Sequence, residues 1–242
     1  NTYILTGQVF PLREPLTILD FRRQISTPEG NLNGEVELSV KANELTIYFE
    51  TESTPDIFDL RNLCLDITNS VISTISFRLG IAWNFEITQV LNRSLGINHV
   101  FDSKMPCLLG KADLAEFSGF LERLDSFLPG EKQFLHRSFS DMRMAMMHPM
   151  DSPFYAFRAV ELLKNLVGQR FGIPNDKNKD RAEWAKLCEI TGYTKEQVSP
   201  LRDLALNARH GNHLNYDSQA RAEFLTLVWD VIDTFITKAS SV

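Results

Sequence analysis

What this sequence lacks narrows its chemistry first. Its 242 residues include only three cysteines, Cys64, Cys107 and Cys188, with no Cys-x-x-Cys pair among them. An odd, scattered set is a poor disulfide framework and points to a reducing, cytoplasmic setting. The motifs GxGxxG, GxxxxGK, HExxH and GxSxG are all missing. No cofactor and no metal is therefore expected, because those patterns supply the phosphate cradles, zinc ligands and activated serines of the common enzyme classes. Positive charge is also short: the net charge is -6 and the pI about 5.4. A surface that coats nucleic acid needs many clustered Lys and Arg, so only a local basic patch remains open. Residues 1–110 carry most of the acid excess, which leaves that patch room only in the second half. Long apolar runs are absent as well. The longest apolar-leaning helix, 56–79, carries Arg61, Asp66, Asn69 and Arg78 and is no membrane span. No basic-plus-apolar leader stands at the front, and the start at Asn1 rather than Met suggests a trimmed chain. Internal repeats and low-complexity tracts are missing too.

What is present divides the chain in two. Val36, Leu38 and Val40 alternate with Glu35, Glu37, Ser39 and Lys41, the pattern of a half-buried strand. Leu45, Ile47 and Phe49 repeat it beyond Ala42-Asn43-Glu44, which predicts a hairpin. Trp83, Phe85 and Ile87, opposed by Asn84, Glu86 and Thr88, predict another strand, and residues 3–10 and 97–101 are further candidates. Between them lies one long helix, with Thr54 as its cap, Pro55 in its first turn and Gly80 at its end. Its expected stripe is Ile57, Leu60, Cys64, Ile67, Val71 and Ile75. A small antiparallel sheet covered on one face by this helix buries both apolar surfaces.

Around residues 102–111, Pro106 and Gly110 break the pattern, and every later signal is helical. Asp113 with Glu116 reads as a capping box, opening a helix whose stripe is Leu114, Phe117, Leu121, Leu124 and Leu128. Pro129-Gly130 reads as its breaker. Further helices are expected up to His148, from Ser152 to near Gly172, around 181–191, from Ser199-Pro200 to Gly211, and over 218–238. The last is dense in core residues and reads as the centre of the bundle. The fold class is thus α+β: an N-terminal sheet domain over residues 1–108, then a helical bundle over 111–242.

Most of the remaining motifs have ordinary explanations. Asp176-Lys177-Asn178-Lys179-Asp180 starts like a calcium loop, but Arg181 replaces the turn glycine and Leu187 the terminal Glu. Asn92-Arg93-Ser94 matches a glycosylation acceptor, which is idle in a cytoplasmic protein. Met142, Met144, Met146, Met147 and Met150 are five of the six methionines, and such thioethers either fill gaps or form an adaptable binding surface.

The stretch 201–213 is different. It gathers Arg202, Asn207, Arg209, His210, Asn212 and His213 at one helix end. The negative end of the helix dipole favours a protonated imidazole there. His210 can then trade protons with an RNA 2′-hydroxyl while an Arg holds the phosphate. His210 and His213 are one turn apart, yet no further ligands beyond Asp217 lie near to complete a metal set.

Together with the helix Phe154-Tyr155-Ala156-Phe157-Arg158-Ala159-Val160-Glu161-Leu162-Leu163 and the helix bearing Trp184, this stretch resembles the HEPN superfamily of helical domains that cleave or bind RNA. The resemblance covers about residues 111–242. In that family an Arg, followed by a polar residue, is separated from a His by four to six intervening positions. Here seven residues, 203–209, lie between Arg202 and His210, and Ala205-Leu206 stand where the common Arg-Asn pair falls. On an ideal helix His210 is about 12 Å along and about 80° around from Arg202. The resemblance implies a homodimer engaging RNA or a nucleotide, as a metal-independent ribonuclease of a bacterial defence or toxin-type system. His210 would then be the proton-transfer group and Arg202 the phosphate clamp. Arg209, Asn207 and His213 would bind RNA, and Arg158 and Glu161 would support the groove. The N-terminal domain would sense a trigger or hold a protein partner. The alternative is a non-catalytic dimerising scaffold in which the Arg/His cluster is structural.

Overall fold

The computed structural model describes residues 1–26, 32–101, 105–111, 114–210 and 216–240. The chain forms two compact units, Asn1–Ser103 and Lys104–Val242. The first is an antiparallel sheet with one long helix and the second is helical, which makes the protein an α+β chain.

In the first unit the strands are β1 (Thr2–Phe10), β2 (Ile18–Ser26), β3 (Asn33–Lys41), β4 (Glu44–Glu50), β5 (Asn84–Asn92) and β6 (Ile97–Val100). Their order across the sheet is β2-β3-β4-β1-β5-β6, all antiparallel. The β3–β4 hairpin turns on Ala42 and Asn43, both at positive φ (48° and 71°), the backbone of the tight turns that match strand twist. Asn43 is buried, and its side chain also serves the preceding loop, accepting from the Leu16 amide and donating to the Pro11 and Glu14 carbonyls. The sheet is larger than its alternation predicted, because β2 is an edge strand whose side chains mostly face solvent.

Helix α1 (Ile57–Leu79) covers one face of the sheet. Its cap is Asp56 rather than Thr54: the carboxylate accepts from the amides of Phe58 (2.9 Å) and Asp59 (3.2 Å). Gly80 ends it at φ 70°, as expected. The fully buried line is Leu60, Cys64, Thr68 and Ile72, with Ile67, Val71 and Ile75 packed on its flank.

In the second unit a 3₁₀ turn, Pro106–Leu108, packs against the last helix. The helices are α2 (Phe117–Asp125), α3 (Pro129–Met147), α4 (Ser152–Arg170), α5 (Lys179–Thr191), α6 (Lys195–Arg209) and α7 (Ser218–Ala239). The final helix packs against α2, α3, α4, α5 and the Pro106–Leu108 turn, and it shares the centre of the unit with α4, which packs against α3, α5, α6 and α7. In α4 the small residues Ala156 and Ala159 allow close approach, while Val160, Leu163, Leu166 and Val167 fill the core with Val228, Phe235 and Ile236 of α7.

The helix expected over 114–128 is corrected. Among its stripe residues Phe117, Leu121 and Leu128 are exposed and Leu124 is buried, while the Leu114 side chain lies outside the described residues. The helix stops at Asp125, Phe127 turns inward instead, and Pro129 opens α3 rather than merely breaking what precedes it. Asp113, half of the expected capping box, lies outside the described residues. Among the described residues no helix is long and apolar enough to cross a membrane.

Candidate functional site

Helix α6 begins earlier than Ser199-Pro200 suggested. Thr194 and Gln197 form a capping box: the Thr194 hydroxyl accepts from the Gln197 amide (3.3 Å), and the Gln197 side chain accepts from the Thr194 amide (2.7 Å). Pro200 therefore stands inside the helix, on an exposed face. Its missing N–H leaves the Glu196 carbonyl to water, which an exposed position tolerates. Val198, Leu201 and Ala205 are buried and dock α6 on the bundle, whose nearest neighbour is α4. That docking decides what the rest of the helix faces.

One adjoining face, Lys195, Ser199, Arg202 and Leu206, lines a cleft of about 200 Å³. The opposite walls are Phe157 and Glu161 of α4 and Asp180 and Trp184 of α5. Phe157 and Trp184 stack with ring centres 6.2 Å apart and planes 21° from parallel. Asp180 is held by Lys164, whose ammonium lies 2.6 Å from its carboxylate and 5.8 Å from the Trp184 ring centre. Arg202 places its Nε and one Nη 3.1 and 2.9 Å from the Asp203 carboxylate. Burial pushes the Glu161 carboxyl above its usual range, with nearby Asp180 adding to the rise and Lys164 and Arg209 opposing it. A carboxyl perturbed in this way beside an arginine in a cleft is a recognised mark of a binding or reactive site.

The expected site residues do not all converge. Arg202 and Glu161 share the cleft, and Arg209 is near enough for its charge to act on Glu161. Asn207, Arg209 and His210 are exposed at the end of α6, and none of them lines the cleft. The His210 amide bonds back to the Leu206 and Asn207 carbonyls, so His210 caps the helix. His213 lies outside the described residues. Arg158 faces another way. It donates from Nε (2.6 Å) and from an Nη to the two oxygens of Asp141 on α3, and its guanidinium sits 5.1 and 5.2 Å from the ring centres of Phe154 and Tyr155. Its setting is the α3–α4 contact, not the cleft. Among the described residues no cluster of three or more His, Cys, Asp or Glu side chains could hold a metal ion.

Phe157, Asp180, Trp184, Lys195 and Ser199 line the cleft without having been singled out as site residues in the sequence. One signal was legible. Lys195, Arg202 and Arg209 recur every seven residues, which on a helix is a single stripe with about 10.5 Å between members and about 20° of drift per step.

No curated protein and no solved structure matches the chain. Two family models do. Residues 3–101 match the N-terminal domain of DUF8168, and residues 121–240 match its C-terminal domain, each described as a domain of unknown function. The sheet unit and the helical unit thus correspond in order to the two domains of one family, and the chain belongs to the DUF8168 family.

Proposed function

We propose that the C-terminal unit is a HEPN-like module that engages RNA or a nucleotide along α6 without cleaving it. The observation that carries this reading is the stripe of Lys195, Arg202 and Arg209: the first two line a cleft with an aromatic wall, and the third continues exposed beyond it. Such a row supplies phosphate contacts at regular spacing on a chain whose overall charge is negative, so the contact is local. Binding is favoured over cleavage because the proton-transfer candidate His210 does not line the cleft that holds Arg202. Ala205, at one of the two positions where the family's Arg-Asn pair falls, is buried in the core. The free thiols suit a cytoplasmic protein. A bacterial defence setting, a homodimer and a sensing role for the sheet unit belong to the same proposal.

The test is fluorescence anisotropy with a labelled single-stranded RNA of mixed sequence, at several salt concentrations, with chelator present. The expected result is salt-dependent binding by the full chain. The Arg202→Ala/Arg209→Ala double variant should bind more weakly and lower the log–log salt slope by about 0.7 per lost phosphate contact. The RNA should stay intact with both wild type and His210→Ala. Binding indifferent to both arginines would overturn the site, and cleavage abolished by His210→Ala would restore the ribonuclease. The scaffold reading is favoured by one observation, the Arg202–Asp203 ion pair, which occupies the clamp without any ligand. It wins if no RNA binds at low salt.

A further inference from the structure

A second concavity lies in the helical unit, among α2, α3 and α7, lined by none of the α6 residues. Its volume is about 580 Å³, within the range of small-molecule sites. The walls are apolar and soft: Phe120 and Phe139, whose ring centres are 6.0 Å apart, Met142 and Met146, and Trp229 and Ile232. Two of the clustered methionines line this cavity while packing into or against the core, and flexible thioethers suit a chain of variable shape.

Polar groups gather on part of the lining. Lys111 is spoken for, with its ammonium 2.7 and 2.8 Å from the two oxygens of Asp230. Arg123 is not: its Nε is shut off from water and has no hydrogen-bond partner. An unmade donor of a charged group is costly, and the guanidinium lines the cavity without an ion-pair partner among the described residues. Asp233 does not supply one. It forms no ion pair with Arg123, and burial, with Asp230 and Glu116 adding, pushes its carboxyl above the usual range against the opposing charges of Arg123 and Lys111. Glu116 is exposed, and its charge is screened by solvent.

We propose that this cavity binds an amphipathic monocarboxylate, its hydrocarbon part among the aromatic and methionine side chains and its carboxylate on Arg123. A carboxylate gives the Arg123 guanidinium the ion-pair partner it lacks, and the apolar walls reward a chain or aryl group. This site is independent of the α6 reading, since the two share no residue.

The probes are dodecanoate, dodecanol and dodecylammonium, titrated calorimetrically into the full chain below their micelle concentrations. Dodecanoate should bind at one saturable site about tenfold or more tightly than dodecanol, the strength of one charge-assisted contact. Arg123→Met should abolish that preference while leaving the alcohol unchanged, and Arg123→Lys should restore part of it. Should Arg123→Met unfold the protein, Arg123→Lys and the alcohol comparison still decide, because both leave a cation in place. The proposal is overturned by the absence of saturable binding, by equal affinity for acid and alcohol, by a preference for dodecylammonium, or by an acid preference that survives Arg123→Met.

Discussion

Arg158 separates a residue that serves the fold from one that serves a ligand, and replacing it by Met tests which. The Asp141 side chain is only 7% exposed and takes both of its arginine contacts from Arg158, which is itself 44% exposed. Removing one partner of a fully buried pair costs about 3–5 kcal/mol, mostly because the other charge is stranded. Here water reaches the arginine side, so the ion-pair loss falls to about 2 kcal/mol. The rings of Phe154 and Tyr155 under the guanidinium add roughly 0.5–1 kcal/mol. A total near 2–3 kcal/mol should lower the midpoint of thermal unfolding by about 6–10 °C, read by circular dichroism at 222 nm. Asp141→Asn/Arg158→Met should recover about half of the loss, since the stranded carboxylate is then gone. RNA affinity should not change. A midpoint within about 2 °C of wild type, or a double variant no better than the single, refutes the reasoning. A folded Arg158→Met protein that has lost RNA binding would return Arg158 to the groove.

Other consequences are as direct. Gly7→Ala should destabilise the sheet unit by about 3 kcal/mol in urea denaturation, because a Cβ at that position would lie 1.9 Å from the Glu86 carbonyl oxygen; an unchanged midpoint would contradict the close approach of β1 and β5. Cys64 is fully buried and its thiol is pushed up to about 12, so it should resist Ellman's reagent in the native state and react only in denaturant. The partly buried Cys107 and Cys188 should react first, as peptide mapping of the labelled protein would reveal. The Glu161 carboxyl is raised in the folded state, so its contribution to stability is present at low pH and is lost as pH rises through its folded value. Glu161→Gln should therefore be more stable than wild type near pH 7, with the difference vanishing towards about pH 4. A difference that grows on acidification would reverse the assigned cause.

The elements that alternate cleanly were legible because one physical rule governs them. In β3 and β4 the inward residues Val36, Leu38, Val40, Leu45, Ile47 and Phe49 are all buried, as pleating requires. In β5 the rule breaks midway. Phe85 and Ile87 point inward, but Thr88 is an extra residue opposite the Thr6–Gly7 step, and Val90 and Asn92 then carry the inward face. Only the pairing with β1 reveals that bulge. Hydrophobicity misplaced the α1 stripe for a different reason: Thr68 is fully buried, its hydroxyl satisfied by the Cys64 carbonyl at 2.7 Å, so a polar residue holds a core position. The 114–128 stripe assumed one continuous helix, and its residues lose a common face once the chain turns at Ser126. The cleft was less legible still, because Glu161, Asp180 and Trp184 reach α6 from two other helices, and no local pattern encodes that meeting.

That geometry also separates an RNA strand from a single nucleotide. The cleft ends at Leu206, and His210 stands about one turn beyond it, with Arg209 close by. A mononucleotide seated between Lys195 and Arg202 is too short to meet Arg209, about 10.5 Å further along the helix from Arg202. A strand of several nucleotides can follow the stripe past the cleft. Arg209→Ala should therefore weaken a labelled decanucleotide while leaving a labelled mononucleotide unaffected, and Arg202→Ala should weaken both. Equal loss for the two probes in Arg209→Ala would mean that α6 ends in one compact nucleotide pocket. A loss confined to the decanucleotide in both variants would mean that the cleft does not seat a nucleotide and that α6 is a backbone-tracking edge, whose contacts are phosphates alone.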